Sequence, residues 1–141
     1  LLIGDGTAEA LKKDIGSVHP SMDRGEREIR GRNLRTGLPE VMTVTSAQVR
    51  EAMRESVDQI IDTIKLALEN TPPELSADIY DHGIMLTGGG AMLRGTDRLI
   101  SERTGIKVNT AKRPLEAVCL GISRIIESED QLGDLLRYRG R

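Results

Sequence analysis

The stretch Ile84–Leu99, "IMLTGGGAMLRGTDRL", puts three successive glycines between an apolar run and an amphipathic one. Glycine loses more backbone freedom on folding than any other residue. Gly88, Gly89 and Gly90 therefore mark a place where the chain needs bare backbone. Read locally, residues 83–87 form a strand and residues 91–104 a helix closed by Gly105. A strand that runs through glycines into a helix presents backbone N–H groups at the positive end of the helix, where an anion or polar ligand is favoured. Without a Cβ, a flat or bulky group can approach that backbone, and Thr87 adds a hydroxyl. A tight strand-to-helix turn with no ligand satisfies the same spacing. No Lys-Ser or Lys-Thr follows the glycines, so the stretch is not a P-loop, and it lacks the spaced G-x-G-x-x-G of dinucleotide folds.

Outward from this stretch the chain alternates elements. Downstream, "IKVNT" reads as a strand, and "PLEAVCLGISRIIES" as a helix opened by Pro114 with a stripe of Leu115, Val118, Cys119, Ile122 and Ile126. Gly121 interrupts that helix, which points to close packing against another backbone there. Upstream, Pro72 stops the longest helix and Pro73 opens a short one, "PELSADIY". The long helix covers residues 47–70 behind Ser46, with Val49, Met53, Val57, Ile60, Ile64 and Leu68 on one stripe. Before it, "EREIRGRN" and "EVMTVT" read as two strands joined through "LRTGLP". The first helix, "AEALKKDI", is capped by Thr7, carries Glu9 near its positive end and stops at Gly16. The closing strand–helix–strand–helix order is that of an α/β unit, with the first part as a smaller lobe.

Composition narrows the function. The 141 residues carry 20 basic and 22 acidic side chains, giving a formal charge of −2. That balance exerts no global pull on nucleic acid, and the aromatic platforms that stack single strands are missing, since Tyr80 and Tyr138 are the only aromatic residues. No apolar stretch approaches ~20 residues, so nothing reads as a membrane span, and nothing at the start reads as a signal peptide. Cys119 is the sole cysteine, which fits a reducing compartment, and His19 and His82 are too isolated to suggest a metal site. The chain opens on "LLIGDG" without Met and is expected to be a piece of a longer protein.

The segment "DHGIMLTGGGAMLRGTDRLISERTGIKV" resembles the adenosine-binding segment of the bacterial actin-like MreB family. So do "IGDGTAEALKKDIGS", "IRGRNLRTGLPEVMTVTSAQVREAM", "TPPELSADIYDHGI" and "PLEAVCLGISRIIES", in the family's order. Several long blocks in sequence are far more specific than one glycine motif. The resemblance implies an α/β fold, the C-terminal part of the actin/Hsp70-like ATPase fold: a ribonuclease H-like inner piece plus a small outer α+β subdomain. On that basis residues 1–14 hold a helix of the nucleotide cleft, 15–75 the outer subdomain with the long helix, 76–128 the inner subdomain, and 129–141 a charged tail.

The resemblance further implies that Gly88, Gly89, Gly90 and Ala91 pass against adenosine and the α-phosphate. Glu9 and Lys12, three apart on one helix face, would lie across the base or ribose; a solvated ion pair is the plainer reading of those two residues. The cofactor would be ATP or ADP with Mg2+ in the complete protein. The family's two phosphate-binding Asp-Gly loops, its metal- and water-positioning acids and its membrane-inserting segment fall outside this chain. No catalytic residue or metal ligand is therefore expected within it, and the chain alone is expected to be inactive. "KRPLEAVCLG" is more basic than the family's usual version. The implied protein is cytoplasmic, binds ATP, polymerises with itself into membrane-associated filaments and works with the cell-wall elongation machinery at the inner membrane to set rod shape. The alternatives are an ATPase of the same superfamily without a filament role, and a non-catalytic binding module.

Overall fold

The computed structural model describes residues 1–128; the tail expected at 129–141 lies outside the described residues. Its element order is α1 (Asp5–Ile15), β1 (Glu26–Arg32), β2 (Pro39–Thr45), α2 (Ser46–Glu69), α3 (Pro73–His82), β3 (Ile84–Leu86), α4 (Thr96–Thr104), β4 (Val108–Thr110) and α5 (Ala117–Glu127). Short 3-10 turns lie at Pro20–Met22 and Gly89–Met92.

β1 and β2 pair antiparallel, with Ile29 opposite Met42. Asn33 shapes their turn: its side-chain oxygen accepts the N–H groups of Arg35 at 2.7 Å and Thr36 at 3.2 Å. A contact not legible in the sequence extends this sheet. Leu2 bridges Arg32, donating and accepting at 2.8 and 2.9 Å. Ile29 points inward from β1 onto Leu11 and Ile15 of α1 and Val49 of α2, and these four form one aliphatic core cluster, flanked by Leu1, Ile3, Val44 and Met53; Val18, Ile61 and Ile100 are buried outside it. β3 and β4 make a separate two-stranded parallel sheet, Ile84 opposite Val108.

Three helix starts away from the glycine stretch differ from the sequence reading. α1 begins at Asp5 behind Gly4, so Thr7 lies inside the helix and caps nothing. α2 is capped by Thr45 rather than Ser46: the Thr45 hydroxyl accepts the Gln48 N–H, and the Gln48 side chain accepts the Thr45 N–H. Ser46 instead is buried and donates to the Ile15 carbonyl at 2.5 Å. α5 starts at Ala117, because Pro114 and its neighbours form a turn before it. Along α2 Val49, Met53, Val57, Ile64 and Leu68 lie on the covered face as expected, and one position differs: Ile61 is 1% exposed and Ile60 is 56% exposed.

Among the described residues nothing covers the α5 stripe. Val118, Ile122 and Ile126 are exposed, as are Cys119 and, before the helix, Leu115. A Cβ on Gly121 would meet nothing within 4 Å, so the backbone contact expected there is not made among the described residues.

A polar joint fastens the 3-10 turn at Pro20–Met22 to α2. The Arg50 guanidinium donates to both Asp23 oxygens at 3.0–3.2 Å, and the fully buried Ser17 hydroxyl donates to the same carboxylate. Arg50 first, then Ser17 and Ser46, hold the Asp23 carboxyl below its ordinary range. A depressed carboxylate stabilises the fold fully above its unfolded pKa of about 4, and this contribution is lost as pH falls through the lower folded value. Asp23→Asn is expected to cost about 2 kcal/mol at neutral pH. Urea unfolding should show the gap to the parent narrowing below pH ~4; a gap that does not change with pH would assign the cost to packing.

Candidate functional site

The glycine stretch does not head an α-helix. After β3 the chain makes the 3-10 turn Gly89–Met92, continues extended through Leu93, and turns at Gly95 before α4 begins at Thr96. Residues 91–95 leave the helical path because Arg94 is engaged elsewhere: it forms a parallel bridge to Ser17, and its carbonyl accepts the Val18 N–H at 2.9 Å. That pairing spans most of the chain, so no local pattern announces it. The Gly88 N–H donates to the Pro114 carbonyl at 2.8 Å and is not available to a ligand. In a 3-10 turn the leading N–H groups have no partner inside the turn. Among the described residues, neither the Gly89 nor the Gly90 N–H donates to a backbone carbonyl outside it.

These two glycines face a cleft of about 640 Å3. One wall is α1 with Glu9, Lys12 and Lys13, ending at Gly16; the other is the turn Gly89, Gly90, Met92, Leu93 and Arg94, with Leu115 beside it. A Cβ on Gly90 would meet nothing within 4 Å, and one on Gly89 only the Leu115 methyl at 3.7 Å. Among the described residues the bare backbone therefore opens onto space rather than onto a packed neighbour. Of the six residues singled out in the sequence, Glu9, Lys12, Gly89 and Gly90 line the cleft together; Gly88 and Ala91 are outside its lining. Lys13, Met92, Leu93, Arg94 and Leu115 also line it, and no sequence motif marks them.

The α1 wall is charged and exposed. Lys12 lies 2.5 Å and Lys13 3.4 Å from the Glu9 carboxylate. The Lys12 ammonium chiefly, then Lys13, lowers the Glu9 pKa, so Glu9 is an anion at neutral pH. An exposed pair of this kind contributes little stability, and either partner can reorient toward a ligand at small cost. On the other side of α1, a second hollow of about 410 Å3 between α1, α2 and the hairpin also touches Glu9 and Lys12, and is mainly apolar. Among the described residues no three acidic, histidine or cysteine side chains gather as a metal site, and no helix is long and apolar enough to cross a membrane.

Comparison with known proteins places the chain. The family model described as MreB/Mbl protein matches residues 1–134. The chain is 46% identical over 132 residues to the cell shape-determining protein Mbl of Bacillus subtilis, covering 94% of this chain and 40% of that protein. It has the same identity to the cell shape-determining protein MreB of Escherichia coli, covering 94% of this chain and 38% of that one. The chain thus spans about 40% of the length of the curated relatives it matches. Among solved structures, MreB5 of Spiroplasma citri bound to ADP superposes with a TM-score of 0.83 at 33% identity, covering 91% of this chain and 39% of that chain. The same protein bound to AMPPNP gives 0.84 at 32% identity, covering 95% and 40%. With its sequence matched almost throughout and its elements superposed on nucleotide-bound MreB, the chain belongs to the MreB/Mbl family and has that family's actin-like α/β fold.

Proposed function

We propose that this chain supplies the adenosine-side wall of a nucleotide cleft in an MreB-type cytoskeletal protein. The observation that carries the reading is the convergence of Glu9 and Lys12 from α1 with Gly89 and Gly90 from the turn on one open cleft. The cleft has the volume of an ordinary small-molecule pocket. The unpartnered leading N–H groups suit a phosphate or ribose oxygen, and the side-chain-free surface suits a flat base. Spiroplasma MreB5, with the same fold, is bound to ADP in one structure and to AMPPNP in another. The proposal keeps Gly88 and Ala91 as supports of the turn rather than contacts. It assigns Mg2+, which would neutralise phosphate charge, no ligand in this chain.

The division into α1 as cleft helix, an outer subdomain at 15–75 and an inner one at 76–128 belongs to the same reading. So do ATP-dependent self-assembly into filaments, a cytoplasmic protein held at the membrane through other segments, and action with the cell-wall elongation machinery to set cell shape. The relatives' names support the last of these.

Calorimetric titration of the chain with magnesium ATP and ADP tests the site. Binding is expected to be far weaker than micromolar, because the chain spans about 40% of its relatives' length and the phosphate-binding loops implied by the resemblance fall outside it. Tight binding with hydrolysis would contradict the reading. Pelleting of the complete protein only when ATP is present would support filaments; a protein that stays in the supernatant would favour an ATPase of this fold without them.

A further inference from the structure

We infer that Arg94 is a positioning residue for the ligand of this cleft, fixing the α1 wall relative to the glycine turn; the inference rests on the nucleotide reading above. Its Nε donates to the Gly16 carbonyl and its Nη2 to the Asp14 carbonyl, each at 3.0 Å. The last carbonyls of a helix lack partners within it and carry the negative end of its dipole, so a guanidinium suits that position. The main chain of the same residue accepts the Val18 N–H. Side chain and backbone together clamp residues 14–18.

The next residue shows how close this approach is. A Cβ on Gly95 would lie 2.6 Å from the His19 Cβ, so the two segments meet nearly backbone to backbone. Gly90 precedes Arg94 by four residues, and Lys12 precedes Asp14 by two. Arg94 therefore ties the two walls together within a few residues of the cleft. Other cross-links lie elsewhere: Arg103 meets Asp58 at 2.8 Å and His19 meets Glu102 at 3.0 Å, and none of these four residues lines the cleft. A residue that holds two walls of a site in register raises affinity by reducing what must be ordered on binding.

The test is a titration of the labelled 141-residue chain with magnesium ADP, following the Gly89 and Gly90 amide resonances, with thermal melting measured alongside. Arg94→Ala is expected to raise the dissociation constant about tenfold, and Arg94→Lys, which keeps the charge but not the fork, about threefold. Arg103→Ala, which removes a cross-link outside the cleft, should leave the constant at the parent value even where it lowers the melting temperature. Parent-like affinity in a folded Arg94→Ala, or an equal loss in Arg103→Ala, would overturn the inference. If Arg94→Ala does not fold, Arg94→Lys decides: weakened binding supports the role and unchanged binding overturns it. Failure of the parent chain to show any shift at Gly89 or Gly90 would instead overturn the nucleotide reading, and the inference with it.

Discussion

Replacing Gly90 by leucine is expected to lower the affinity for magnesium ADP about a hundredfold while changing stability by no more than about 0.5 kcal/mol. The two effects separate because of where the added side chain goes. Gly90 is not among the glycines with positive φ, and a Cβ there meets nothing within 4 Å. The fold therefore accommodates leucine without strain. The free volume it enters is the cleft itself, where Glu9 and Lys12 stand on the facing wall. Gly6→Leu is the control: Gly6 is exposed on α1, has equally open space at its Cβ and does not line the cleft. It should leave affinity unchanged. Equal loss in both variants would mean that a general surface change is being measured. Retained affinity in Gly90→Leu would move the ligand away from the turn.

The largest expected loss of stability is at Gly83, where alanine should cost about 3–5 kcal/mol in urea unfolding. Gly83 caps α3 with φ +80°, a conformation that side chains disfavour. The added Cβ would also lie 2.4 Å from the Lys107 carbonyl oxygen. That oxygen accepts the Ile84 N–H at 2.8 Å and opens the pairing of β3 with β4. The sheet has three residue pairs, Ile84 with Val108, Met85 with Asn109 and Leu86 with Thr110, so displacing its first rung threatens all of it. Because β3 leads directly into the glycine turn, Gly83→Ala should also broaden the Gly89 and Gly90 resonances. A cost below about 1 kcal/mol would show that the Lys107 peptide can swing aside freely.

Which parts of this fold were legible followed from the range of the forces involved. The hairpin and α2 announce themselves through alternation, turn chemistry and a stripe of aliphatic residues, all local. Local signals also misled by one residue. Thr45 and Ser46 are both good caps, and only the buried hydrogen bond of Ser46 to Ile15 settles which one serves. Ile60 and Ile61 both fit the stripe, and contact with distant parts of the chain decides that Ile61 is buried. The helix predicted over 91–104 failed in its first turn because Arg94 and Gly95 pack on residues 16–19, some 78 positions earlier. The same contact explains the incomplete site. Bare backbone and family resemblance mark Gly89 and Gly90, and the resemblance marks Glu9 and Lys12. Arg94, Leu93 and Leu115 reach the cleft only through tertiary folding, and nothing in their local sequence marks them. The apolar stripe of α5 is legible, but Val118, Ile122 and Ile126 are exposed, because periodicity reports amphipathicity and not what covers it.

The chain has two hollows that share Glu9 and Lys12, one against the glycine turn and one between α1, α2 and the hairpin. Photo-crosslinking with azido-adenosine diphosphate, followed by peptide mapping, distinguishes them most directly. The account predicts adducts on the Met92–Arg94 stretch and on the Lys12–Lys13 part of α1, both suppressed by excess ADP. Adducts concentrated at Gln48, Ala52 or Met53, or labelling that excess ADP does not suppress, would contradict it.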